Sequence, residues 1–407
     1  MTIEAVAPPP DPVDWRRNLA ALWFAEFTAI FGFSFAFPFL PVFLHTDLGV
    51  ENPHQLALWT GLAGSASGFA LAIASPIWGA VGDRFGRKPM LVRAMVGGGI
   101  AVGLMSLAQN PVQLVVLRFV QGASSGTIAA CNALVATETP RARVGWALGV
   151  LTSSVALGGA LGPLAGGLAG AAFGLRAIFA AGGVLLLLST IPVLLLVRES
   201  PRIGSAEGRT SALAALRAQR PGAVRAVAVL LASMTLYYTF VGALQPLAVL
   251  RLVELVRSGA TAISGVAFGA FGLTQSIAAA LYSGLALRLG YRKLAGLVAG
   301  GSALVLLGMA HAATAVLVVL CLVGLGLLVG SLGPSLSSML GLESPPGVQA
   351  RVFGVGSSAT ALGFAFGPLL GGGLAGAFDV PAGITGAAVI AALLTGVLAT
   401  AVREPAR

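Results

Sequence analysis

Long stretches of this chain carry no charged residue at all: Val144–Leu175, Ala177–Val197, Ala226–Leu250, Ser258–Leu287, Leu294–Leu342, Val352–Phe378 and Val380–Val402. A helix needs about 20 apolar residues to cross a bilayer core. Runs of this length fit one crossing each, and Leu294–Leu342 fits two, with His311 near the turn. Lipid offers no partner to an exposed peptide group, so each crossing must satisfy its own backbone as a helix. Charge is scarce overall, at 9% of residues, where a soluble domain has about a quarter. The expected fold class is therefore an all-α membrane protein.

Apolar runs, read against Pro, Gly and charge punctuation, place helices at about 18–42, 57–79, 89–109, 112–135, 145–169, 176–197, 224–248, 262–284, 294–311, 314–339, 352–376 and 381–402. An even number of spans puts both termini on one side. Of the 24 Lys and Arg, only Arg176, Arg251 and Arg257 fall in loops on the opposite side, and Arg118 falls inside a span. The remainder, Arg93 among them, gather on the side of the termini, which the positive-inside rule assigns to the cytoplasm. The expected order is a cytoplasmic tail over 1–17, a six-helix bundle over 18–197, a cytoplasmic linker over 198–223, a second bundle over 224–402 and a tail over 403–407.

The net charge of +10 is spread over short loops and not over one folded face, so nucleic acid is not an expected partner. Cys131 and Cys321 both fall inside spans and read as packing residues, with no disulfide and no metal site. The Pro-rich start, MTIEAVAPPPDPVDWRRN, lacks the basic and apolar order of a cleavable signal and reads as a disordered tail. No GxxxxGK[ST] phosphate loop occurs, so ATP is not the expected driver. No nucleophile–His–acid set stands out, and neither catalysis nor a cofactor is expected. His45, His54 and His311 lie at or near the external loops and read as incidental.

The chain repeats itself. Adding 205 to Gly149, Gly158, Gly162, Pro163, Gly166 and Gly167 lands on Gly354, Gly363, Gly367, Pro368, Gly371 and Gly372, and Glu138 lands on Glu343. At a shift of 204, GDRFGRK (82–88) lands on ALRLGYR (286–292), which keeps Arg288 and Gly290. Parallel repeats of this kind are one plan of secondary transporters, with the substrate site between the halves near the midplane. Small residues let helix backbones approach closely in lipid. Two readings of the glycine copies stay open, static close packing and a shared mechanical role.

With these motifs in view, the chain resembles the major facilitator superfamily over nearly its whole length, and within it the twelve-span drug:proton antiporters. GAVGDRFGRKPM (79–90) is similar to the superfamily's loop 2–3 signature, with Gly79, Asp83, Arg84, Gly86, Arg87 and Lys88 in place and Val81 where Leu is usual. LRFVQG (117–122) is similar to the span 4 signature through Arg118, Gln121 and Gly122, and Gly149–Gly167 to the span 5 antiporter signature. WRRNLAALW and PFLPVFL, near the N-terminus, resemble bacterial multidrug exporters of this group. The resemblance implies that Asp83 caps the start of span 11 while Arg87 bridges to Glu138, latching the halves on the cytoplasmic side. The second copy has Leu287 in place of Asp83, so its latch is expected to be weaker or missing.

A charged side chain within the bilayer is costly unless it faces a cavity or a partner. Arg118, Gln121, Ser125 and Asn132 share an arc of about 60° on a continuous helix, which reads as a cavity wall. Arg118 snorkelling to the outer interface is the competing reading. Glu26 shares its face of span 1 with Ile30, Phe33 and Phe37. An acid among aromatic rings suits a lipophilic cation; an acid near a helix end reaching cytoplasmic water is the alternative. Tyr237, Tyr238, Gln245 and Gln275 are candidates for the second half of the cavity. Arginine stays protonated, so Glu26 is the expected proton carrier. At 1.5 Å per residue, roughly 9 Å separates the backbone levels of Glu26 and Arg118, which limits direct pairing. The expected function is proton-coupled export of lipophilic drugs by a monomer in the cytoplasmic (inner) membrane. Export of one metabolite or sugar is the alternative, and a transporter-like sensor or an enzyme a more remote one.

Overall fold

The structure is a computed structural model that describes residues 14–140, 142–200, 222–256, 259–344 and 349–404, with the side chains of Asp83, Ala350 and Arg351 outside the description. Among the described residues, 12 helices are long and apolar enough to cross a membrane: Trp15–Thr46, Pro53–Gly82, Arg87–Met105, Pro111–Glu138, Val144–Phe173, Leu175–Leu196, Ala223–Leu255, Ala260–Leu289, Tyr291–Ala310, Ala315–Glu343, Val352–Ala377 and Val380–Thr400, here spans 1 to 12. Large apolar side chains stand outward on them; Leu195 and Leu304 are 73% and 71% exposed. Such a surface is tolerable against lipid and a liability in water.

The helix starts follow from local sequence. Asp14 accepts from the amides of Arg16 and Arg17, Asn52 from those of His54 and Gln55, Asn110 from Gln113 and Asp379 from Ala382. Each supplies an acceptor that the first helical turn lacks. The helix of span 2 runs on to Phe85, so it joins span 3 through Gly86 alone, as spans 8 and 9 join through Gly290 alone, at φ of 101° and 86°. Only glycine adopts that backbone without strain, so the reversal needs no further loop residue.

Three spans are broken where the sequence reading has single helices. Span 1 turns through a short 3-10 stretch at Phe37–Phe39, where Pro38 and Pro41 remove backbone donors. Span 4 breaks at Ser125–Gly126, with Gly126 at φ 132°. Span 6 breaks at Ser189.

The packing has an internal twofold pattern. Span 1 packs on spans 5 and 6, span 3 on spans 4 and 6, and span 2 on span 4. Span 7 packs on spans 11 and 12, span 9 on spans 10 and 12, and span 8 on span 10 in the same arrangement. The halves meet along spans 2 and 11 and along spans 5 and 8. A methyl at Gly158, Gly162 or Gly166 would collide with the backbone of span 1 at Phe27–Phe35, and one at Gly363 or Gly367 with span 7 at Thr235–Ala243. Gly167 meets Gly265 across the halves, and Gly372 meets Gly61. These crossings lie toward the end that carries the loop between spans 1 and 2. At the opposite end a methyl at Gly79, Gly149, Gly284 or Gly354 would meet nothing within 4 Å.

Candidate functional site

The stripe on span 1 that carries Glu26, Phe33 and Phe37 faces span 4, and the two ends of the stripe do different things. At the end nearer the loop between spans 1 and 2, Phe33 and Phe37 stack at 5.1 Å and hold the Arg118 guanidinium 5.7 and 4.2 Å from their centroids. Arg118 is 2% exposed. Its Nε donates to the Ala63 carbonyl at 3.1 Å, Nη1 to Gln121 Oε1 at 2.8 Å and Nη2 to Ser67 Oγ at 2.7 Å. Gln121 Nε2 continues the chain to Ser125 Oγ at 3.2 Å. Two ring faces and three neutral acceptors, and no carboxylate, thus compensate this buried cation. A desolvated ring contact contributes about 2 kcal/mol, and every nitrogen has an acceptor, as burial requires.

At the opposite end, Glu26 is 0% exposed. Thr127 Oγ1 donates to its Oε1 at 3.2 Å and Cys131 Sγ to its Oε2 at 3.1 Å. Both partners are neutral and lie one helical turn apart on the Thr127–Glu138 segment of span 4. This is not the site expected from the stripe. The rings enclose the chain's own Arg118, and Glu26 does not sit among them. Nor does Glu26 reach water at a helix end. Cys131 does more than pack, because its thiol is a donor to the buried acid.

Asn132 lies on the far side of the break in span 4 from Arg118. The expected arc assumes one continuous helix, and span 4 breaks at Ser125–Gly126. Asn132 is exposed, while Arg118, Gln121 and Ser125 stay connected. In the second half, Tyr237 is buried, its hydroxyl 3.4 Å from the Val329 carbonyl, and Tyr238 lies against Phe364. Gln245 borders a small cleft with Phe37, Pro41, Thr60, Pro246 and Pro368 at the closed end. Gln275 is half-buried, its carbonyl against Gly330. His54, read as incidental, has Nδ1 2.9 Å from the carbonyl of Gly376 in the other half.

Around the loop of spans 2 and 3, the Glu199 carboxylate accepts from the Arg87 amide at 2.8 and 3.0 Å and from the Lys88 amide at 2.9 Å. Lys88 Nζ donates to the carbonyls of Leu194 and Val197 at the end of span 6. Arg87 Nη1 donates to the Ala133 carbonyl at 2.7 Å. Glu138 accepts from the amide and hydroxyl of Ser200 at 3.1 and 2.7 Å. Arg87 thus reaches span 4 at Ala133, more than one turn before Glu138, the partner expected of it. Arg84 is exposed and lies over Phe85 at 5.3 Å. The cap expected of Asp83 falls on a side chain outside the description. The second copy repeats the arrangement: Glu404 accepts from the amides of Tyr291 and Arg292 at 2.7 and 3.0 Å, and Arg292 donates to the carbonyls of Leu398 and Ala399. Neither glutamate was among the expected site residues. Their signal is VRES at 197–200 and VREP at 402–405, again 205 apart.

Comparison with known proteins agrees with this architecture. The family model described as Major Facilitator Superfamily matches residues 22–261 and 256–407. The multidrug resistance protein MdtG of Rahnella sp. (strain Y9602) is 33% identical over 374 residues, 91% of this chain and 89% of the relative. MdtG of Escherichia coli O17:K52:H18 (strain UMN026 / ExPEC) is 32% identical over 88% of each chain. Among solved structures, a D-xylose-proton symporter superposes with a TM-score of 0.78 at 17% identity, covering 95% of this chain and 98% of its own. A bacterial homologue of the lysosomal transporter Spinster, inward-facing and occupied, gives 0.76 at 14% identity, covering 94% and 96%. At these identities the structures speak for the fold alone, whereas the family model and the sequence relatives bear on kinship. With twelve spans in two matching halves and the loop 2–3 motif in place, the chain belongs to the major facilitator superfamily.

Proposed function

We propose that this protein is a secondary active exporter that moves lipophilic drugs out of the cell by proton antiport through alternating access. The observation that carries the transport reading is the asymmetry between the two ends. The halves close through Gly61–Gly372 and Gly167–Gly265, while Gly79, Gly149, Gly284 and Gly354 stand open. The names of the relatives supply the substrate class. The Lys and Arg distribution supports cytoplasmic termini, and with that orientation the open end faces the cytoplasm, in a conformation ready to load. The protein works as a monomer in the cytoplasmic membrane.

Glu26 carries the proton in this reading. Its partners, a hydroxyl and a thiol, rotate to suit either form of the carboxyl, so it gains or loses a proton without breaking an ion pair. Arg118 stays charged and fixes the wall opposite Phe33 and Phe37. Asp83, Arg84, Arg87, Lys88 and Glu138, with Gly79 and Gly86, form the cytoplasmic gate. The paired glycines of spans 5 and 11 let the halves rock against each other.

The test combines drug susceptibility in an efflux-deficient host with proton flux in proteoliposomes. Resistance to several unrelated lipophilic drugs, with protons moving against drug, is expected, and Glu26→Gln abolishes the proton movement. One saturable polar substrate, or drug export with no proton movement, overturns the reading. Cysteines at 205 and 405 are expected to label only from the cytoplasm, and ones at 48 and 256 only from outside.

A further inference from the structure

We infer that Trp78 and Arg93 form a clamp on the break in span 4, and that the clamp couples the Glu26 carboxyl to the Arg118 wall. Arg93, read from sequence as one of the charges on the side of the termini, lies in span 3, six residues past its first residue, Arg87. Its guanidinium stacks on the Trp78 indole at 3.8 Å.

A helix that breaks frees main-chain carbonyls, and each needs a donor. Here they are supplied from outside the span. Trp78 Nε1 donates to the Ala123 carbonyl at 2.7 Å, and Arg93 Nη2 to the Ser125 carbonyl at 3.2 Å. Ser125 Oγ takes the Gln121 carbonyl at 3.0 Å. Spans 2 and 3 thus hold the break open. On one side of it lie Arg118, Gln121 and Ser125; on the other lie Thr127 and Cys131, the two donors to Glu26. Straightening the span would move one set relative to the other.

The second half serves as an internal control. At a shift of 204, Trp78 maps to Tyr282, which donates to Ser338 Oγ and not to a main-chain carbonyl, and Arg93 maps to Leu297. Span 10 runs unbroken through Gly330–Ser331, the counterpart of the break. Break and clamp occur together in one half and are missing together in the other. The clamp also keeps donors in reserve: Nε and Nη1 of Arg93 are enclosed and bond nothing. An under-satisfied group is suited to exchange acceptors as a helix moves, whereas a purely structural arginine is expected to be fully bonded. Trp78 and Arg93 are positioning residues, since neither touches Glu26 directly.

The inference rests on the antiport reading, and its test separates the two. Full-length wild type, Arg93→Leu, Arg93→Lys and Trp78→Phe are placed in proteoliposomes. Two quantities are read: protons moved per molecule of a lipophilic cationic dye, ethidium first, and the infrared stretch of the Glu26 carboxyl, assigned by its loss in Glu26→Gln. Arg93→Leu and Trp78→Phe are expected to shift the Glu26 band and to lower the proton-to-dye ratio about tenfold, within the span of measured coupling energies. Arg93→Lys, which keeps one donor for Ser125, restores part of both. Wild type that exports dye without protons overturns the antiport reading, and the infrared comparison then still decides the clamp. An unchanged band in Arg93→Leu and Trp78→Phe overturns the clamp. If Arg93→Leu fails to insert, Trp78→Phe alone decides by the same criterion.

Discussion

Gly167 of the first half meets Gly265 of the second, and Gly372 of the second meets Gly61 of the first. The four positions are related by the same shift that relates the halves, so the two crossings are copies of one joint. The helix ends at Gly86 and Gly290, each under a glutamate from the end of span 6 or span 12, are copies as well. The charges buried in mid-span, Arg118 and Glu26, are not. Arg118 has Val323 as its counterpart, and Glu26 has Leu231. A rocking motion needs two matched joints, and duplication supplies both at once. A proton site needs only one carboxyl, and every further buried charge adds a desolvation cost. Keeping Arg118 and Glu26 in one half while both halves keep the joints fits these two requirements; the buried acid of the second half, Glu343, stands at the very end of span 10.

The largest expected effect attacks the unmatched part. Arg118→Ala leaves the Ala63 carbonyl, Gln121, Ser67 and two rings without their shared partner. Each buried acceptor left without its donor costs about 1–3 kcal/mol. Transport of cationic and neutral drugs should both be lost, while Val323→Ala keeps transport. Transport assays in vesicles with matched protein amounts check this. Equal loss from Val323→Ala would mean that the site is shared between the halves.

The joints come next. Leu in place of Gly167 or Gly372 overfills a backbone contact, at about 1–3 kcal/mol, and shifts a two-state equilibrium by roughly 5- to 150-fold away from closure at that end. Both variants should behave alike. Leu at Gly149 or Gly354 should act in the opposite sense, hindering closure at the end that stands open here. Spin-label distances across each end read the shift. Unequal effects of Gly167→Leu and Gly372→Leu would break the equivalence of the joints.

Most of the joint was legible in sequence, and much of the site was not, for a physical reason. Membrane spans, repeats and the Gly149–Gly167 copies depend on residue type and spacing, which a sequence displays directly. The location of Asn132 depends on whether span 4 stays continuous across Gly126, and one glycine among 56 does not announce a break. The Glu26–Phe33–Phe37 stripe does share one face, yet what it faces is set by tertiary packing. Arg118 fills the rings that an isolated reading left for substrate. Arg93 falls inside the expected 89–109 helix and counts there only among the charges on the side of the termini; that it meets Trp78 and the break in span 4 is set by tertiary packing. The glutamate pair was visible in VRES and VREP, once the shift of 205 is carried past the last span.

A smaller effect is expected at Asp83. In the gate proposed above, where Asp83 caps the start of span 11, Asp83→Asn should weaken that cap by about 0.3–2 kcal/mol and slow transport up to roughly thirtyfold, with the protein inserted and abundant. Leu287→Asn, its counterpart, should change transport little. Normal transport by Asp83→Asn removes this residue from the gate and leaves the loops of the two halves equivalent.

The smallest effect is expected where the halves are most alike. Glu199, after span 6, and Glu404, after span 12, each place a carboxylate on the first amides of the span three earlier in the chain, spans 3 and 9, so charge and hydrogen bonds act together at a helix N-terminus. Glutamine keeps one acceptor oxygen and loses the charge, so each of Glu199→Gln and Glu404→Gln should cost about 0.3–1 kcal/mol, the range for an exposed helix-terminal acid. A small and equal fall in melting temperature in detergent is the expected reading, with transport retained. The neighbouring contacts are also matched in kind: Lys88 closes the last carbonyls of span 6 and Arg292 those of span 12. In the first half Glu138 is tied to Ser200 right beside Glu199. If Glu199→Gln lowers transport more than Glu404→Gln at equal cost in stability, the cap of the first half belongs to the cytoplasmic gate. The symmetry then ends at this loop, before the bilayer interior is reached.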